Sequence, residues 1–168
     1  MLAVLKIFLD ISLLSGKPQD LPASNTLLWL TALSAAGTNY IADGVHPDLF
    51  VRLLFALAET VLLGLVVWVA LVIRHYPERW PQTMMALYAS SVFVNITTWP
   101  VILWLTNAPA SDWLIIVGLA ITVWFIAIMA RVLHYALTLP VALSTLVSLA
   151  CLMTTGLILI KLFGLTEN

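Results

Sequence analysis

Charge is what this 168-residue chain has least of. Asp, Glu, Lys and Arg make up 9% of it, against 62% hydrophobic residues. A soluble domain carries about 25% charged residues, so this chain lacks the side chains to cover a core with a water-exposed surface. The net charge of −1 excludes the basic surface that nucleic-acid binding needs. A single cysteine, Cys151, excludes a disulfide framework and a cysteine metal site. Its apolar surroundings mark it as a small buried side chain.

The motifs of common chemistries are missing as well. There is no glycine-rich phosphate loop, no HExxH and no G-x-S-x-G. No nucleophile–base pair stands out, so no enzymatic activity is expected. The three histidines, His46, His75 and His134, fall in loops or near span ends, which excludes a bis-histidine haem in mid-membrane. Asp43, His46 and Asp48 suit a turn around Gly44 and Pro47 better than a cation site. Neither a metal nor another cofactor is expected. Asp10 interrupts the N-terminal apolar run and no A-x-A-like site follows, so that run is not expected to be a cleaved signal peptide.

What is present is apolar sequence. Five stretches, at about 24–42, 49–73, 82–106, 113–133 and 140–161, have roughly the 20 residues that a hydrocarbon core of about 30 Å requires. They predict an all-α, polytopic membrane helix bundle in which residues 1–168 form a single membrane domain. The stretch at 24–42 is the weakest, with Thr31, Ser34, Gly37, Thr38 and Asn39 inside it. Pro100 predicts a kink near residues 94–97, and Pro140 suits the first position of the fifth span. Ahead of the spans, residues 1–16 read as an amphipathic helix, its polar stripe made by Lys6 and Asp10 at i,i+4; it lies in the membrane interface or packs on the protein's own helices.

Lys and Arg placement gives an orientation. With the N-terminus in the cytoplasm, Lys6, Lys17, Arg74, Arg79 and Arg131 lie inside, and Arg52 and Lys161 outside. A cell inner membrane with a periplasmic C-terminus is the corresponding location. Trp29, Trp68 and Trp80 then fall near the inner interface, and Trp99, Trp104 and Trp113 near the outer one, as an aromatic belt. Trp124 is the exception at mid-span, where a packing role is expected.

One carboxylate lies deep. Glu59 is ten residues into the second span, about 15 Å in at 1.5 Å per residue. An ionised carboxylate there costs at least about 2.5 kcal/mol, and such groups usually face a partner, a cavity or a proton path. Depth arithmetic places Asn95 and Asn39 in the same outer half, and Arg52 on the same helix face two turns away. These four residues are the expected intramembrane polar cluster, serving either as glue between helices or as a cation-handling site. Ser144, Ser148, Cys151 and Thr155 recur on one face of the fifth span.

Arg74, Arg79 and Arg131 are candidates for lipid-headgroup contact, although topogenic charge alone explains them. Four-spaced small residues, at Thr60 and Gly64, Ala86 and Ser90, Gly118 and Thr122, and Ser144 and Ser148, allow close helix approach. They fit a compact bundle or contact with another membrane protein. The bilayer itself, other membrane subunits and a second copy of the chain are the partners expected.

The stretch from Phe8-Leu9-Asp10 through Pro18-Gln19-Asp20-Leu21-Pro22, followed by five spans, resembles the Yip1-type membrane proteins and small uncharacterised proteobacterial inner-membrane proteins. The eukaryotic members' cytosolic motifs are absent, and no functional residue is carried over. The resemblance implies a five-helix membrane bundle. The function expected is that of a non-enzymatic accessory or scaffolding component of a larger membrane complex. The alternative is a small transporter or channel with a polar site around Glu59.

Overall fold

The computed structural model describes residues 2–16, 18–22, 24–42, 48–106 and 113–163. Six α-helices account for most of them: α1 (Leu2–Ser12), α2 (Asn25–Ala42), α3 (Leu49–Ile73), α4 (Trp80–Thr106), α5 (Trp113–Leu137) and α6 (Val141–Phe163). Short 3-10 turns at Pro18–Asp20 and Pro77–Arg79 precede α2 and α4. The fold is all-α, as the composition predicts. The expected loops at 43–47 and 107–112, with Asp43, His46 and Asp112, lie outside the described residues, as does Lys17.

Local chemistry explains the helix ends. Asp48 caps α3, its Oδ1 accepting from the backbone N–H groups of Phe50 at 2.7 Å and Val51 at 3.4 Å. Helix α3 closes with Tyr76 N–H donating to the Leu71 carbonyl, which requires His75 in the left-handed region at φ 62. Leu14 (φ 61) ends α1 and Thr138 (φ 53) ends α5 in the same region. Helix α6 begins at Val141, where the Pro140 carbonyl accepts the Ser144 N–H.

Three described helices are long and apolar enough to cross a membrane: Leu49–Ile73, Ile115–Leu137 and Val141–Phe163. The expected first and third spans, α2 and α4, are not among them. In the first half of α4 this polarity has a structural reason. Helix α4 is central and packs against α1, α2, α3 and α5. Residues Thr83 to Tyr88 are buried without a break, and Met84, Met85, Ala86 and Leu87 are fully enclosed. A helix enclosed by protein keeps polar side chains because neighbouring helices, not lipid, receive them.

The five long helices close a ring. Helix α2 packs on α3, α3 on α6, α6 on α5, α5 on α4, and α4 back on α2. Phe55 of α3 meets Phe163 of α6 edge-to-face at 5.2 Å, near the start of one helix and the end of the other. The polar-small face of α6 is buried, with Ser144, Ser148, Cys151, Thr155 and Leu159 turned inward. Helix α4 continues through Pro100 to Thr106. In the turn before it, Thr97 Oγ1 donates to the Phe93 carbonyl and Thr98 Oγ1 to the Val94 carbonyl, the i−4 pattern that bends helices.

Helix α1 packs on the protein's own helices, one of the two placements expected of it. Ser12 Oγ donates to Ser90 Oγ at 3.4 Å, and Trp124 Nε1 donates to the Ser12 carbonyl at 3.3 Å. Ser90 is ten residues into α4 and Trp124 eleven into α5, about 15 Å from each helix start. The end of α1 therefore stands at mid-height against α4 and α5, with Ile11 and Ser12 buried. The apolar face of Ile7, Phe8 and Ile11 packs on the protein's own core. Trp124 has the packing role expected of it, also meeting Phe93 edge-to-face at 6.1 Å. From Ser12 the chain returns to the helix ends, where Gln82 Nε2 donates to the Leu21 carbonyl at 3.0 Å.

Candidate functional site

Every helix of the ring contributes to one central cavity of ≈370 Å³. Asn39 enters from α2, Glu59 and Thr60 from α3, Tyr88, Ser91 and Asn95 from α4, Thr122 and Phe125 from α5, and Thr155 from α6. The cavity brings together three of the four residues expected to cluster. Asn95 Nδ2 donates to Asn39 Oδ1 at 2.7 Å and lies 3.3 Å from Thr38 Oγ1. Glu59 is half-buried in the same lining. The fourth, Arg52, is two turns nearer the start of α3. Its guanidinium lies 5.9 Å from the centroid of the Tyr40 ring, and it is not among the described lining residues. Arg52 and Glu59 are seven residues apart on α3, about 10 Å along its axis.

Among the described lining residues Glu59 is the carboxylate, and there is no Lys, Arg or His. The polar remainder is hydroxyl and amide. Thr60 Oγ1 is committed to the Ala56 carbonyl at 2.9 Å and Thr122 Oγ1 to the Gly118 carbonyl at 2.9 Å. Thr155 Oγ1 is buried without a hydrogen-bond partner. A buried hydroxyl without a partner is uncommon, and this one belongs to the cavity lining. The periodic small-polar face of α6 was the sequence signal for it. The roles of Tyr88, Ser91 and Phe125 had no such signal, since nothing in the pattern of α4 or α5 says which residue faces inward.

Two aromatic side chains reach across the ring from α4 to α3. Tyr88 OH donates to the Thr60 carbonyl at 2.8 Å, and Trp80 Nε1 donates to the Gly64 carbonyl at 3.0 Å. Gly64 makes this possible: a Cβ there would lie 2.8 Å from the Tyr88 hydroxyl. The Thr60–Gly64 pair thus serves packing inside the bundle.

The three arginines expected at lipid headgroups have different surroundings. Arg74 is exposed at the end of α3. Arg79 is half-buried, and its Nη1 donates to the Tyr135 carbonyl at 3.3 Å and the Ala136 carbonyl at 3.2 Å, while its guanidinium lies 4.4 Å from the centroid of the Tyr76 ring. It caps the last turn of α5, whose final carbonyls have no helical partners. Arg131 lies 5.8 Å from the Tyr135 ring centroid, with a buried Nε that has no hydrogen-bond partner. Helix α5 extends to Leu137 rather than 133, which places Arg131 about 9 Å short of the helix end instead of at it.

Compared with family models, curated proteins and solved structures, the chain matches none.

Proposed function

We propose that this is an integral membrane protein whose central cavity binds a small organic cation, as the substrate site of a small transporter. The observation that carries the reading is the position of Glu59 in the lining of a ≈370 Å³ cavity to which all five ring helices contribute. A carboxylate beside a largely apolar wall favours a cation over a neutral or anionic guest. The Asn39–Asn95 pair and Ser91 offer amide and hydroxyl oxygens for ammonium N–H groups, and Tyr88 and Phe125 offer ring faces. The reading assigns no bond-making chemistry and no metal.

In this reading α2 and α4 cross the bilayer beside α3, α5 and α6, giving five spans. Of their polar residues, Thr31, Thr83, Ser90 and Thr98 are buried within the bundle. Charge placement favours a cytoplasmic N-terminus in a bacterial inner membrane. Labelling of single cysteines introduced at Arg74 and Arg52 tests this orientation: the first is reached from the cytoplasm only, the second from the opposite face only.

The functional test is uptake of radiolabelled butylamine into proteoliposomes. Saturable uptake by the wild type is expected, with loss of most of it in Glu59→Gln while the melting temperature in detergent is held. Equal uptake by the two proteins, or none by the wild type, overturns the reading.

A second reading, an accessory subunit of a larger membrane complex, is favoured by one surface. On α5, a Cβ at Gly118 would meet nothing within 4 Å. The other four-spaced small pairs are buried within the bundle. Cross-linking through Gly118→Cys in native membranes tests it; absence of any adduct counts against a partner at that face.

A further inference from the structure

Helix α1 stands outside the ring, packed against α4 and α5, and its two faces differ. Ile7, Phe8, Ile11 and Leu14 turn to the core. Lys6, Leu9, Asp10 and Leu13 recur at i, i+3, i+4 and i+7, so they share the other face. Lys6 and Leu9 are exposed, Leu13 is more than half exposed, and Asp10 is half-buried. Neither charge on this face has an ion pair or a side-chain hydrogen bond among the described residues. Their order explains why they do not pair with each other. A cation four residues ahead of an acid is the less favourable arrangement on a helix, and the aspartate stem is short.

The height of these charges makes them need a partner. Ser12 stands at mid-height against Ser90 and Trp124. Asp10 is two residues from Ser12, about 3 Å along α1, and Lys6 is at most about 9 Å from the same level. Helix α5, which carries Trp124, is among the helices long and apolar enough to cross a membrane. Charges at that height in a bilayer are costly and are met by opposite charge or a cavity.

We propose that the outer face of α1 docks a second copy of this chain, with the two α1 helices antiparallel about a twofold axis at residue 8. The charges fix the occupant. Such an axis sets Lys6 of each copy opposite Asp10 of the other, so one operation pairs all four charges. Leu9 and Leu13 add apolar contact beside them. An anionic lipid would pair with Lys6 and strand Asp10. This interface needs α5 to cross the membrane; it does not need cation binding in the cavity.

The test is the oligomeric state of the full chain in liposomes, read by energy transfer between labelled copies at low protein density. The wild type is expected to be dimeric. Lys6→Asp and Asp10→Lys each set like charges against one another, and each is expected to weaken the dimer at least about tenfold. Combining the two substitutions restores the reciprocal pairs and is expected to restore the dimer. A second measurement reads the direction of the helices. In a Cys151→Ala background, Leu9→Cys lies one residue from the axis and is expected to cross-link through a short bismaleimide to twice the chain mass. Leu13→Cys lies five residues from the axis, which separates the two copies by about 15 Å along it, and no cross-link is expected. Both replace exposed side chains, so the cross-link reports the interface even where a charge variant fails to fold. A monomeric wild type, single charge variants that dimerise as the wild type does, a combined variant as weak as the single ones, or equal cross-linking at both positions overturns the proposal. So does an adduct of any other mass, which assigns the face to a different subunit. Butylamine uptake stands or falls separately from all of these.

Discussion

A Cβ on Gly64 would stand 2.8 Å from the Tyr88 hydroxyl. That relationship ties α3 to α4: the glycine lets the phenol reach past it to the Thr60 carbonyl. Gly64→Ala is therefore expected to destabilise the bundle by about 1–3 kcal/mol, the usual cost of overpacking a close contact. Tyr88→Phe alone costs about 0.5–1.5 kcal/mol for the lost hydrogen bond. The double variant is expected to cost less than the sum, because removing the hydroxyl removes the clash. Chemical denaturation in mixed micelles measures all three, and strict additivity would contradict the geometry.

Asn39 and Asn95 hold α2 to α4 beside the cavity. Hydrogen bonds between membrane helices average about 0.6 kcal/mol in double-mutant cycles, with a maximum near 1.7. A cycle with Asn39→Ala and Asn95→Ala is expected to return a coupling in that range. A coupling of zero would mean that the 2.7 Å contact contributes nothing to stability.

Arg79 reaches two successive carbonyls at the end of α5 through one guanidinium nitrogen, Nη1. Lys carries a point charge on a flexible stem and does not reproduce that geometry. Arg79→Lys is expected to loosen the last turn of α5, and Arg79→Ala more so, at a cost of about 1 kcal/mol for a half-exposed cap. Hydrogen exchange at Tyr135, Ala136 and Leu137 is the readout. Faster exchange confined to that turn supports the cap, whereas unchanged protection argues for a surface charge alone.

His75 sits at φ 62 and is exposed. A left-handed conformation costs an L-residue roughly 1–2 kcal/mol, and glycine avoids it. His75→Gly is expected to raise stability by about 0.5–1 kcal/mol, while His75→Val lowers it. Leu14 shares the conformation but packs against the core, so Leu14→Gly trades lost burial against relief and is expected to give no gain. Thermal unfolding of the three variants ranks them.

The class and most element boundaries were legible in the chain. Low charge and long apolar runs predicted helices at 49–73 and near 140–161, and α3 and α6 lie there. Depth arithmetic brought Asn39, Glu59 and Asn95 to one level, because rise per residue is fixed by the helix ladder. Periodicity marked the buried face of α6, since residues three and four apart share a face.

Azimuth and partners were not legible. A helix enclosed on several sides shows no preferred face in its sequence, so α4 gave no sign that Tyr88 and Trp80 point at α3. Arg52 and Arg79 read as members of a polar cluster and a basic patch until Tyr40 and the end of α5 received them. Residues 1–16 left two placements open because amphipathicity shows which face is apolar without naming what covers it. The sequence by itself determined that this chain forms long apolar helices with one deep carboxylate. Only the tertiary structure decided that five of them close a ring around Glu59, because helix rotation and neighbour choice are settled by side-chain packing between segments far apart in the chain.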